Sequence, residues 1–245
     1  MPRQTRIDIP GLPQHVIARG NNRQACFFTD VDRATYLHYL LVAARSHECA
    51  VHAYVLMGNH VHLLVTGSRQ GSVGRLMQSI GRRYVRALNN ALGRTGTLFE
   101  GRYRASPVES HAYFLACMRY IELNPVRAGM VDDPAGYRWS SYRFNIGMEP
   151  SSLLVAHPEY LQLGIDLVTR AAAYRALFER PLPVAEIDMI REHVNKGRVL
   201  GRPEFQKSLE TQLDRCVKVR PAGRPARQAE MYSDPVFEEM YSDPV

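Results

Sequence analysis

The sequence has no apolar run approaching the roughly 20 residues that a membrane-spanning helix needs, and its start, Met1-Pro2-Arg3-Gln4-Thr5-Arg6, lacks the apolar core of a signal peptide. These absences predict a cytoplasmic protein with no membrane partner. Cysteine is sparse. Cys26, Cys49, Cys117 and Cys216 stand too far apart for a zinc knuckle or a redox pair, so they are expected as small buried hydrophobes. Acidic residues are in deficit: Lys and Arg number 31 against 24 Asp and Glu, a net charge of +7. Five of those acids, Glu230, Asp234, Glu238, Glu239 and Asp243, fall within 230–245, where there is no Lys or Arg. Residues 1–229 therefore set 31 bases against 19 acids, a balance of +12. Such an excess predicts a polyanionic partner, most simply nucleic acid. At 245 residues, 45% hydrophobic and 22% charged, the chain can bury a proper core and is expected to form one domain with an appendage.

What the chain does have is Gly58-Asn59-His60-Val61-His62-Leu63-Leu64-Val65. Ala50 to Met57 before it is strand-like, and Gly58-Asn59 is a two-residue hairpin turn, so His60 opens the second strand of a hairpin. Successive strand side chains point to opposite faces, which sends His60 and His62 out together. Two imidazoles held in this way make a two-nitrogen claw that needs only one or two oxygen ligands to hold Mg2+, Mn2+ or Zn2+. The spacing alone also fits polar residues on a solvated strand face.

Upstream, His15 to Arg19 reads as a short strand ending at Gly20-Asn21-Asn22, and Arg19, Asn21, Asn22 and Arg23 form a basic, amide-rich loop. Arg and Asn suit bidentate contacts to guanine and adenine edges, although a solvated turn has the same composition. Thr29 with Asp32 predicts a capping box for a helix carrying Tyr36, Leu37, Leu40, Leu41 and Ala44. Downstream, Ser72 opens an amphipathic helix with Val73, Leu76, Met77, Ile80, Tyr84 and Leu88 on one stripe. Arg75, Arg82, Arg83 and Arg86 lie on its other face with no acid at i+4, which favours phosphate contact. Tyr103 to Val108 supplies a fourth strand, at an edge because of Pro107. The order strand, helix, strand, strand, helix, strand is the ferredoxin-like split βαβ arrangement, an α+β fold with a four-stranded antiparallel sheet and helices on one face. A further helix from about 109 to 123 buries Tyr113, Phe114, Cys117 and Ile121 and stops at Asn124-Pro125, with Glu122 expected at its surface.

Three strings together, His-Val-His-Leu-Leu-Val at 60–65, Arg-Tyr-Ile-Glu-Leu-Asn-Pro-Val-Arg-Ala-Gly at 119–129 and Tyr-Arg-Trp-Ser-Ser-Tyr at 137–142, resemble the REP-associated tyrosine transposases of the HUH superfamily of single-strand DNA nucleases. The resemblance runs from about 15 to 143. It implies that His60 and His62 are metal ligands for Mg2+ or Mn2+, that Asn124 is a third ligand and that Tyr120 is the nucleophile. The implied partner is single-stranded DNA carrying a palindromic repeat hairpin. The implied activity is a metal-dependent nickase and strand transferase working through a 5′-phosphotyrosine intermediate, by a monomer or a homodimer. Independently of the resemblance, one helical turn separates Tyr120 from Asn124, so both can face the adjacent sheet.

Residues 1–149 are thus expected to carry the chemistry and 150–229 to form a helical DNA-binding appendage. Helical patterns recur there at about 158–164, 167–178, 184–195 and 202–216. The appendage ends in a basic arm whose Gly-Arg-Pro contains Arg224, flanked by Arg220 and Arg227. Such an arm suits a narrow minor groove, and an ordinary basic linker has the same composition. Met-Tyr-Ser-Asp-Pro-Val occurs at 231–236 and again at 240–245, so 230–245 is read as an acidic tail outside the fold. Trp139, with Tyr137 and Tyr142, is either a stacking platform for unpaired bases or core. Three rival readings remain: a replication or conjugation initiator nuclease, a domesticated DNA-binding protein that no longer cuts, and a phosphoesterase of small substrates.

Overall fold

The computed structural model describes residues 5–219. Its centre is a four-stranded antiparallel sheet of β1 (Pro13–Arg19), β2 (Cys49–Leu56), β3 (His60–Gly67) and β4 (Arg104–Pro107), in the order β2-β3-β1-β4. With α1 (Asp30–Ser46) and α2 (Ser72–Leu92) between the strands, this is the ferredoxin-like arrangement expected from the sequence. β4 lies at the edge, where Pro107 deprives no neighbouring strand of a donor.

α1 begins where Thr29 and Asp32 cap it reciprocally: Asp32 Oδ2 accepts from Thr29 N at 2.7 Å, and Thr29 Oγ1 accepts from Asp32 N at 3.3 Å. α1 and α2 bury Tyr36, Leu40, Leu76, Ile80 and Tyr84 against Val16, Ala18, Val61, Leu63 and Val65, on one sheet face. Phe27, Tyr36 and Tyr84 pack as an aromatic trio in which Tyr36 meets the other two rings edge to face, and Tyr84 Oη donates to Cys26 O at 2.6 Å, so its polar end is satisfied inside the core. Cys26, Cys49 and Cys117 are buried and Cys216 is half-buried.

The opposite face is covered as well. There α3 (Ser110–Glu122) and the short α4 (Asn124–Arg127) are followed by α5 (Tyr142–Asn145), α6 (Pro158–Leu161), α7 (Leu167–Ala176), α8 (Val184–Lys196) and α9 (Pro203–Leu213). Ala53, Val55 and Leu64 from the sheet share one apolar cluster with Phe114, Ile121, Tyr142, Tyr160, Tyr174 and Ile190. The segment 198–200 runs along the outer edge of β4: Leu200 N donates to Pro107 O and Ser106 Oγ to Arg198 O. That closes an edge otherwise open to a foreign strand, except at the Arg104 end. Among the described residues no helix is long and apolar enough to cross a membrane.

β2 contains one irregularity. Val51 pairs with Val65 and Ala53 with Leu64, so His52 is an extra residue, and the alternation of faces shifts by one step there. Its ring is fixed: Val155 O accepts from Nδ1 at 2.7 Å, which leaves Nε2 to accept from Thr66 Oγ1 at 2.9 Å. Burial, with His157 adding to it against the Val155 hydrogen bond, lowers its pKa to about 4. The sign follows: between pH 6.5 and 4 the unfolded chain binds a proton that the folded ring refuses, so stability is full above pH 6.5 and falls with acidification. This group alone should remove roughly 2 kcal/mol by pH 5. Urea unfolding at pH 7 and pH 5 should show a smaller acid loss in His52→Gln than in the parent. Parallel profiles would refute the assignment.

Candidate active site

The register of β1 against β3 builds the site. Arg19 lies opposite His60, Ile17 opposite His62 and His15 opposite Leu64. Residues directly opposite share a face, so His15, Ile17 and Arg19 stand beside the two histidines, on the side that α3 covers. The ring centroids of His60 and His62 are 5.1 Å apart, and those of His62 and His15 5.0 Å. α3 lowers Tyr120 onto this group, its ring 5.8 Å from that of His62 and 5.5 Å from that of His15. Strand period two and helix packing thus bring three of the expected site residues, His60, His62 and Tyr120, into one cluster.

The imidazoles are neutral. Burial, then the charge of Arg19, brings the His60 pKa down to about 4. Burial, then Arg127, brings that of His15 to about 3. His62 is held well below its ordinary value by burial and then by His15, His60 and the two arginines. Neutral imidazole is the form that ligates a metal. His60 Nδ1 donates to Asn59 Oδ1 at 2.6 Å, which leaves the Nε2 lone pair available and orients the ring, as an outer partner does for a metal-bound histidine.

His62 Nδ1 lies 2.8 Å from His15 Nε2, and His15 Nδ1 is buried without a partner. If His62 presents a bare Nε2, the shared proton belongs to His62 and an N–H is stranded on His15 Nδ1. The other tautomer strands only a lone pair there. A cation on His62 Nε2 would offset that penalty, so this donor pair fits a divalent metal. Among the described residues no group of three or more His, Cys, Asp and Glu side chains is placed to hold a metal. A further protein ligand from the described residues would therefore be a neutral oxygen, such as that of an amide.

Asn124 lies one turn beyond Tyr120. Its Nδ2 is directed to the carbonyls of Tyr120 at 3.2 Å and Ile121 at 3.3 Å, and it makes no hydrogen bond to either histidine among the described residues. Its Oδ1 is the atom left for a ligand.

Two neighbours of the site carried no assignment from the sequence. Arg127 donates from Nη2 to Tyr120 O at 2.7 Å, and its Cζ sits 4.4 Å from the Tyr120 ring centroid. Positions seven apart on a helix share a face, so the signal was present, but Pro125 argued for an interruption. His15 lay in the period-two pattern of β1 and lacked only its register.

Glu122 corrects an expectation. It is fully buried rather than at the surface. Oε1 accepts from Ser141 Oγ at 2.5 Å and Asn145 Nδ2 at 2.7 Å, and Oε2 from Tyr174 Oη at 2.7 Å. Burial raises its pKa to about 7 against the pull of these three donors. The reason lies outside α3: α5 and α7 cover the face on which Glu122 sits, opposite to that of Tyr120.

Asn21, Asn22 and Arg23 are exposed, and their loop is tied to the histidine hairpin by Gly20 N to Asn59 O at 2.8 Å and Asn59 Nδ2 to Arg23 O at 3.0 Å. A Cβ at position 20 would fall 2.0 Å from Gln24 O, so this tie requires glycine. Arg75, Arg82, Arg83 and Arg86 are exposed on α2, in the layer across the sheet from the histidines. Trp139 is half-buried against both clusters and donates from Nε1 to Asp30 Oδ1 at 2.9 Å. Arg220, Arg224, Arg227 and the acidic tail lie outside the described residues.

An antiparallel sheet presenting paired histidines to a tyrosine on the covering helix defines a tyrosine-and-histidine site of the kind the sequence resembles. Residues 9–124 match the model of the family described as transposase, IS200-like, a family of DNA-processing enzymes. Among solved structures the chain is similar to a REP-associated tyrosine transposase bound to a REP hairpin, with 16% identity over 64% of this chain and 99% of the other and a TM-score of 0.51; that likeness shows the fold. A candidate transposase from Deinococcus radiodurans R1 is 22% identical over 49% of this chain and 95% of its own, with a TM-score of 0.35. No curated protein matches the chain.

Glu122→Ala would strand three buried donors and should lower unfolding free energy by roughly 3 kcal/mol or more, with Glu122→Gln milder because it can still accept. A loss under 1 kcal/mol for Glu122→Ala in urea titration would mean that the network contributes little.

Proposed function

We propose that the protein nicks single-stranded DNA beside a hairpin and rejoins it to another strand, with Tyr120 as nucleophile. The observation that carries this reading is the convergence of Tyr120 with His60 and His62, 5.8 Å from ring to ring at the nearer pair. The hairpin as substrate rests on the resemblance and on the DNA held by the similar tyrosine transposase. In this scheme Tyr120 Oη attacks the scissile phosphorus, the P–O3′ bond breaks, and a 5′-phosphotyrosine and a free 3′-hydroxyl result. Because the energy of the phosphodiester is retained in the covalent link, a 3′-hydroxyl of another strand can reverse the attack without ATP.

His60 and His62, through Nε2, and Asn124, through Oδ1, would hold a divalent cation such as Mg2+ or Mn2+. When bound there it supplies positive charge that polarises the phosphate and neutralises charge growing on its oxygens. Arg127 fixes the Tyr120 ring from one side while α3 carries it from the other. Residues 1–149 house this chemistry; 150–229, with Arg220, Arg224 and Arg227, add contacts to the stem, as do Asn21, Asn22, Arg23 and the α2 arginines.

The wild-type protein, incubated with a hairpin bearing a single-stranded flank and Mg2+ or Mn2+, should become covalently attached to the 5′ end of the downstream fragment, and the adduct should survive denaturing electrophoresis. Tyr120→Phe keeps the ring and its packing but removes the attacking oxygen, so cleavage and adduct should both vanish while binding persists. Nicking by Tyr120→Phe at the parent rate would instead indicate metal-activated water, and intact DNA with the wild type would favour a binding protein that does not cut. His60→Ala and His62→Ala should each abolish cleavage with most binding retained, and equal loss of both would argue for a structural role. Deleting 218–245 should weaken binding yet spare cleavage at saturating DNA; loss of cleavage there would put the arm in the active site.

A further inference from the structure

A second basic surface reaches the site, and it is not the one that the α2 arginines form. The register extends beyond β1: Ile17 lies opposite His62 on one side and opposite Arg104 of β4 on the other. Arg104, Ile17 and His62 therefore make one cross-strand row on one face, with Arg19 beside His60 in the next. Strands lie about 4.8 Å apart, so the row spans roughly 10 Å from the β4 edge to the histidines. A cleft opens at that end of β4, between the edge and α8, lined by Ile17, Arg19, Glu100, Arg102, Arg104 and Asn195. It continues outward past Arg6, Lys196 and Arg215.

Three features make the cleft more than a solvated rim. The segment 198–200 bonds the outer edge of β4 at Ser106 and Pro107, and among the described residues no such bond reaches Arg104 or Ala105. Arg104 hands one N–H to Asn195 Oδ1 at 2.8 Å, which ties its guanidinium to another residue of the cleft wall. Among the described residues Arg19, Arg102 and Arg104 form no ion pair, although Glu100 lines the same cleft, so three arginines and one acid share its wall. Guanidinium groups held apart on a rigid strand edge suit successive phosphates better than a single small anion.

We infer that Arg102 and Arg104, with Arg19, form the phosphate track by which the single-stranded flank of the DNA enters the site from the β4 edge. Phosphates of a single strand recur at about 3.4 Å or more, so two or three of them span the row from Arg104 to His62. The inference rests on the proposed reading of the His and Tyr120 cluster as the cleavage site. It assigns the strand to be cut to this face and leaves the α2 arginines, across the sheet, to DNA further from the cut.

The test is the salt dependence of binding, measured with a hairpin carrying a single-stranded flank and with the same hairpin blunt-ended. For Arg102→Ala/Arg104→Ala the log-log slope with flanked DNA should fall by about 1.4, near 0.7 for each contact removed, while blunt-hairpin binding stays unchanged. Glu100→Gln should bind flanked DNA severalfold more tightly, a gain that misfolding would not produce. Arg102→Ala alone, which breaks no hydrogen bond among the described residues, should give half the slope change. An unaltered slope with flanked DNA, or equal weakening with blunt DNA, would overturn the track. The two readings separate cleanly: a slope change without any Tyr120 adduct leaves the track standing and sinks the nucleophile, and an adduct without a slope change does the reverse.

Discussion

The site depends on imidazole rings kept uncharged inside a protein whose described surface is rich in cations. His15, His60 and His62 lie between sheet and helix, where burial and neighbouring arginines both oppose protonation. The same burial brings Tyr120 close enough to share their environment. Everything that holds α3 against the sheet therefore also sets the site, from Phe114 and Ile121 on its inner face to the carboxylate of Glu122 behind it. Helix placement and chemical competence are one requirement here.

Much of this was legible in the sequence because it follows from short-range rules. Period two set the face shared by His60 and His62, a capping box opened α1, and Pro107 pointed to an edge strand; the structure has each of these. What could not be read was long-range. Cross-strand register is not a local property, so His15 showed only as a strand residue, and Arg104 only as part of a fourth strand. Glu122 was misread because its burial is decided by Ser141, Asn145 and Tyr174, the last of them 52 positions away. The extra residue at His52 likewise shifts the alternation of β2 in a way that no hydrophobic pattern announces.

The distribution of positive charge teaches the same lesson. The α2 arginines stood out in the sequence because they recur at helical spacing on one helix. Arg19, Arg102 and Arg104 come from two strands and a loop, and only folding places them together. A stripe on one element is easy to see and need not face the chemistry; a patch assembled from several elements is invisible until the sheet is built.

The buried carboxylate bears on how the enzyme can be divided. Residues 9–124 carry the family signature and end just past Glu122. A fragment cut to that length would take the carboxylate and leave behind every donor that satisfies it, together with Tyr142, Tyr160 and Tyr174, which roof α3. A fragment that keeps every partner of Glu122 has to run at least through Tyr174 in α7. The helices after the signature are thus joined to it by a buried polar network as well as by apolar packing.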